Sequence, residues 1–136
     1  MAVLDTAAII DLFRRPRAPV RRRAWHAVRA RVSAGETMVT TRINVAELYA
    51  GVQLSHDPVA ESAKVEFALG WLDVLEFNDH AAHVFGAQYS SLRRIGRLCG
   101  DMDLLIAAIA VANGHSVLTP NVRHFAGIPF VTVYPY

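Results

Sequence analysis

The chain has 136 residues, 53% hydrophobic and 19% charged, with a formal net charge of +2. That length suits one domain, residues 1–136, around one core, and the apolar content excludes global disorder. The longest unbroken apolar run, Leu104 to Ala112, is too short to span a bilayer. No basic region precedes an apolar stretch at the N-terminus, and Cys99 is the only cysteine. A cytoplasmic protein without signal peptide, intrachain disulfide or membrane partner is expected.

Val3-Leu4 reads as a short buried strand ending on Asp5. Ala7 to Phe13 follows as a helix, with Ile9, Ile10, Leu12 and Phe13 apolar and Asp11 solvated. Arg14 to Pro19 is a basic, proline-broken loop. Val20 to Val32 is a helix with Trp25, Val28 and Val32 on one stripe, stopped at Ser33-Ala34-Gly35. Met38 to Thr40 is the second strand. Thr40 or Thr41 then caps a helix to about Leu54, with Ile43, Leu48 and Val52 inward.

Beyond His56-Asp57-Pro58 a helix runs from Val59 to Leu72, followed by a third strand, Val74 to Phe77. Asp79 caps a helix to about Ile95. Gly96 and Gly100 mark a loop, and Asp101 caps the most apolar helix, which ends at Asn113-Gly114. Ser116 to Thr119 and Phe130 to Val133 are the fourth and fifth strands. Short apolar strands alternating with helices predict an α/β fold, a parallel sheet covered on both faces. Ligands of such sheets sit beyond the carboxyl ends of the strands, where Asp5 and Thr119-Pro120-Asn121 fall.

The acids stand out against this background. Asp5 ends the first apolar run, and Glu47 lies among Val45, Ala46 and Leu48. Asp101 and Asp103 directly precede Leu104 to Ala112. Carboxylates at the ends of buried elements need a shared partner, and a divalent cation is the simplest. Asp101 and Asp103 could also serve only to favour a helix N-terminus. His80 and His83 lack the second ligand pair of a zinc site. Cys99 has no evident partner as a nucleophile, and no glycine-rich phosphate loop is present.

Arginine carries nearly all the positive charge, since Lys64 is the only lysine. One cluster runs from Arg14, Arg15 and Arg17 to Arg31; Arg93, Arg94 and Arg97 form another. GC-rich coding accounts for much of the arginine excess but not for its clustering. The clusters read either as solvated helix faces or as a phosphate track.

Four segments resemble a known family in order and spacing. Leu4-Asp-Thr-Ala-Ala-Ile-Ile-Asp-Leu-Phe13 resembles the opening of PIN-domain nucleases, and Val45-Ala-Glu-Leu-Tyr-Ala-Gly51 their central glutamate motif. Asp103-Leu-Leu-Ile-Ala-Ala-Ile-Ala110 resembles the third acidic motif, and Leu118-Thr-Pro-Asn-Val-Arg-His-Phe125 the closing one. The arrangement is similar to the VapC-type toxins of bacterial toxin–antitoxin pairs. The resemblance implies a three-layer sandwich with a short parallel sheet between helices. It also implies magnesium-dependent (or manganese-dependent) endonucleolytic cleavage of RNA, a small antitoxin partner and a homodimer.

Asp5, Glu47 and Asp103 match the family's metal-binding positions; Thr6 and Thr119 match its supporting hydroxyls. Asn121 stands where the fourth acid is often found, and His124 replaces an acid before the closing phenylalanine. Asp101 is an additional acid that could compensate, as an accessory catalytic group. Arg14, Arg15, Arg17, Arg93, Arg94 and Arg97 are the candidate RNA contacts. The two departures keep a second reading open: an RNA- or partner-binding protein of the same fold that cleaves weakly or not at all.

Overall fold

The computed structural model describes residues 1–97 and 99–136. Strands β1 (Ala2–Leu4), β2 (Met38–Thr41), β3 (Asp73–Leu75), β4 (Ser116–Leu118) and β5 (Val133–Tyr134) form one sheet, ordered β3-β2-β1-β4-β5. Every neighbouring pair is parallel. Parallel pairing requires crossovers, which are supplied by α1 (Thr6–Leu12), α2 (Pro19–Ser33), α3 (Arg42–Leu54), α4 (Pro58–Leu69), α5 (Asp79–Arg94), α6 (Asp101–Ala112) and α7 (Val122–Phe125).

The pleat divides the core in two. Val3 is in register with Val39 and with Val117. These three pack with Leu92, Leu104, Ile106, Ala107 and Phe125 of α5, α6 and α7. Leu4 and its partner Leu118 point the other way, into a cluster with Ile9, Leu12, Ala24, Leu48, Val52 and Val65. Alternate strand residues thus feed opposite helical layers. The expected α/β sandwich is present, with β1 and β4 buried throughout.

Of the two residues expected to cap α3, Thr41 does so, in a capping box with Asn44. Several other boundaries differ from the expectation, each for a local reason. Asn78 rather than Asp79 caps α5, its side chain accepting the Ala81 N–H at 3.0 Å. Gly100 occupies the N-cap position of α6, so Asp101 is not the cap. Helix α4 stops at Leu69, with Gly70 as C-cap, three residues short of the expected Leu72. The fifth strand is only Val133–Tyr134; Phe130 has φ 68° and is 82% exposed, a backbone a pairing strand does not adopt. Helix α7, unanticipated, buries Phe125. The Trp25 stripe of α2 is covered only in part, since Val32 is 53% exposed.

Asp11 is not solvated: it is buried, accepting the Arg14 Nε–H at 2.9 Å and the Tyr136 hydroxyl at 3.1 Å. Burial and the neighbouring Asp11 push the Tyr136 phenol far above its usual range, so it stays a donor. The contact ties the segment after β5 to α1. Asp11→Ala strands the Tyr136 hydroxyl and should cost roughly 1–3 kcal/mol; Tyr136→Phe should cost about 1 kcal/mol. Urea denaturation of both variants checks this, and an unchanged midpoint in Asp11→Ala would refute the tie.

Candidate active site

The C-terminal rim of the sheet gathers side chains from four segments. Asp5 leaves β1 as the N-cap of α1, its Oδ1 accepting the Thr6 N–H at 2.7 Å. The same oxygen accepts Asn44 Nδ2 at 3.2 Å, and Oδ2 accepts the Thr119 hydroxyl at 2.8 Å. Asp5 is only 5% exposed, and Asn44 and Thr119 are fully buried. A buried carboxylate needs such partners, and these are neutral donors.

Asn44 is oriented by its own cap. Its Oδ1 accepts the Thr41 hydroxyl at 2.7 Å, which turns Nδ2 toward Asp5 and toward Thr6 Oγ1 at 3.0 Å. With that oxygen accepting from Asn44, the Thr6 hydroxyl donates to Glu47 Oε2. Glu47 lies one turn beyond Asn44 on α3, so the N3 residue of the capping box and the acid share a face. A continuous hydrogen-bond chain therefore joins Thr119, Asp5, Asn44, Thr6 and Glu47.

Asp103 enters from the first turn of α6, where its Oδ2 lies 3.4 Å from His124 Nδ1. Burial holds the Glu47 carboxyl above its ordinary range; the Thr6 hydrogen bond opposes this, and the charges of Asp5 and Asp103 reinforce it. Burial likewise raises Asp103, with His124 opposing and Asp5 adding. The three acids thus sense one another across the rim. Among the described residues neither Asp5 nor Glu47 has an ion-pair partner, and Asp103 has only His124.

An oxygen donor set of partly desolvated, mutually repelling carboxylates suits a hard divalent cation. Among the described residues no group of three or more acidic, histidine or cysteine side chains is already placed to hold a metal ion. An open rim still fits magnesium, which retains several waters and is commonly held by one or two carboxylates.

The other sequence candidates divide. Asp101 is exposed and has no hydrogen bond or ion pair among the described residues; it lies about 200° around α6 from Asp103. Asn121 is exposed and reaches the network through its backbone, whose N–H donates to Thr119 Oγ1 at 3.0 Å. Arg14 is engaged by Asp11, and Arg15 and Arg17 are exposed in the loop before α2. Arg93 donates to the Tyr89 hydroxyl along α5 at 3.1 Å, whereas Arg97 borders a cleft that also contains Asp103. His80 and His83 lie on exposed α5 positions; His83 lies 3.6 Å from Asp79.

Sequence reasoning passed over Asn44 as an individual residue. Its signal was the Thr41-x-x-Asn44 capping spacing, which reads as helix punctuation until the fold brings β1 alongside. It passed over Arg123 as well, which shares the cleft with Arg97.

Comparison with known proteins agrees with this geometry. The PIN domain family matches residues 2–130. Ribonuclease VapC2 of Haemophilus influenzae is 38% identical over 94 residues, 68% of this chain and 70% of that protein. The tRNA(fMet)-specific endonuclease VapC of Salmonella typhimurium is 33% identical over 96 residues, 71% and 73% of the two chains. The crystal structure of DNA-bound VapBC from Salmonella typhimurium superposes with a TM-score of 0.82 at 28% identity, covering 98% of this chain and 96% of that one. The extent of the family match, with the parallel sheet and the acidic rim at its carboxyl edge, establishes that this chain belongs to the PIN-domain family, in its VapC branch.

Proposed function

We propose that the chain is a divalent-metal-dependent endoribonuclease, the toxin of a toxin–antitoxin pair, silenced by a bound antitoxin protein. The observation that supports this reading is that Asp5 and Glu47, joined by hydrogen bonds through Asn44 and Thr6, share the carboxyl rim of the sheet with Asp103 and have no cationic side chain paired with them among the described residues. Asp5, Glu47 and Asp103 would hold the metal, magnesium or manganese, directly or through water. When bound, the cation supplies Lewis-acid activation of the phosphodiester.

The remaining chemistry belongs to the chain. Thr119 and Asn44 fix both oxygens of Asp5, and Thr6 fixes one oxygen of Glu47. The other Glu47 oxygen is left to take the proton of the attacking water. Asn121 and Thr119 shape the far wall, and Asp101 remains an accessory acid at most. RNA segments with unpaired bases are the fitting substrates, because an A-form duplex hides its deep groove.

The antitoxin reading rests on a groove of about 560 Å³ walled by Phe13, Trp25, Val28, Val32, Trp71 and Leu72. Trp71 is 59% exposed, and Phe67 beside it packs edge-on against both Phe13 and Trp71. An exposed apolar trough between helices suits an amphipathic helix of a partner. A homodimer belongs to the same proposal, with Leu54 and Val59 exposed at the α3–α4 corner for a second copy.

The second reading, binding without cleavage, draws on His124, which stands beside Asp103 where a further acid is often found. Asp5→Asn and Asp103→Asn decide between them. Each should lower RNA cleavage about 100-fold or more and abolish growth inhibition. In metal-free buffer Asp103→Asn should be as stable as the parent or more so, because it removes a repelling charge. A parent protein that binds RNA but cuts none across magnesium and manganese titrations would favour the second reading.

The raised Glu47 and Asp103 carboxyls set a pH dependence. Both bind protons more tightly folded than unfolded, so metal-free stability should fall as pH rises from the unfolded to the folded carboxylate range. Magnesium should raise the melting temperature near neutral pH, and the gain should shrink as acidification protonates the pair. Differential scanning fluorimetry across pH with and without magnesium reads both effects; a gain that Asp5→Asn leaves intact would place the ion elsewhere. Trp71→Glu should weaken antitoxin binding about tenfold or more while RNA cleavage persists, as titration of the purified pair would show.

A further inference from the structure

We infer that a second cleft, opening beside Asp103, is a subsite for an RNA phosphate adjacent to the one cut, held by Arg97 and Arg123. The inference rests on the ribonuclease reading above and extends it to how the strand lies. The cleft has a volume of about 450 Å³ and includes Leu92, Arg97, Cys99, Asp103, Arg123 and His124. Asp103 and His124 thus belong both to the acidic rim and to this cleft, which makes the two continuous.

The charge of the cleft is not self-cancelling. Among the described residues Arg97 and Arg123 have no carboxylate within ion-pair distance, whereas Arg14, Arg31 and Arg42 are paired with Asp11, Glu36 and Glu76. Asp103 is the only acid among the lining residues, and it is already claimed by the rim. Two unpaired guanidinium groups beside a metal-binding edge form an anion site next to a cation site.

Arg97 reaches over a glycine. Gly127 has φ +87°, and a Cβ there would stand 2.8 Å from Arg97 Nη1. The guanidinium therefore lies against bare glycine backbone, in space that any side chain would take. Arg123 is carried by α7, which is anchored by the buried Phe125. Buried Leu92 and Ile128 supply an apolar floor that strengthens the interaction with an anion.

RNA fits better than an acidic peptide. Whatever fills the cleft must also pass Asp103, and peptide carboxylates there would meet Glu47 and Asp103 directly. A phosphodiester chain places one anion on the cation at the rim and the next where arginine forks match its oxygens. The contact is to backbone, so it adds affinity and register with no preference for a base.

Arg97→Ala, Arg123→Ala and the double variant test this. Each single change should raise KM for RNA about tenfold, with a much smaller effect on kcat, and Arg123→Lys should recover part of the loss. In metal-free buffer the salt slope of binding to a fluorescein-labelled single-stranded RNA should drop by about one per arginine removed. Cys99, the only cysteine of the chain, provides an independent reporter within the cleft. The same RNA should slow its alkylation by N-ethylmaleimide in the parent protein and not in the double variant.

Unchanged KM and salt slope in the double variant would overturn the inference. So would loss of antitoxin affinity with RNA binding intact, which would assign the cleft to the protein partner. If the parent cleaves no RNA at all, the ribonuclease reading fails, while the metal-free binding and alkylation measurements still decide the role of this cleft.

Discussion

The structure depends on a buried carboxylate that has no cation of its own. Asp5 sits at the end of the central strand, 5% exposed, and its charge is held by the Thr6 backbone, Asn44 and Thr119. Each of those donors comes from a different part of the rim: the start of α1, the first turn of α3 and the end of β4. Satisfying one carboxylate therefore fixes three elements relative to one another. An apolar residue at this position would leave the Asn44 amide and the Thr119 hydroxyl short of an acceptor.

That arrangement couples fold to chemistry. Thr6 and Asn44 pass the constraint from Asp5 to Glu47, so the second acid inherits its orientation from the first. Asp103 arrives separately on α6, the most apolar helix, whose buried face packs on β1, β2 and β4. Burial raises the Glu47 and Asp103 carboxyls, and the neighbouring acids add to the effect. Acids gathered in this way fit the proposed site for a cation and an anionic substrate. The surrounding surface divides accordingly, with an apolar trough between α2 and α4 on one side and a basic cleft beside α7 on another.

Pairing also sorts the arginines. Those of the first cluster that lie close to acids are spent on structure: Arg14 on Asp11, Arg31 on Glu36 and on the face of Tyr134 at 4.1 Å. Arg97 and Arg123 come from distant sequence segments, yet they meet where α5 ends and α7 begins. Density along the chain was a poor guide to density in space, because a parallel sheet places the ends of remote strands side by side.

Periodicity and punctuation determined the order of elements, the parallel sheet and the acids at its carboxyl edge. Those are local properties: a buried strand is apolar, a helix has a periodic apolar stripe with capping residues at its ends, and an unpaired charge is kept off buried positions. Asp5, Asp103 and Thr119 were legible for the same reason, since each closes or opens an element, whereas Glu47, inside α3, stood out by its apolar neighbours and by the resemblance to PIN-domain nucleases. Tertiary structure alone decided what met what. It buried Asp11 beneath Tyr136, left Asp101 on an outer face and recruited Asn44 to the site. A side chain's partners come from across the sheet, and the direction it faces is set by packing that no short stretch of residues contains.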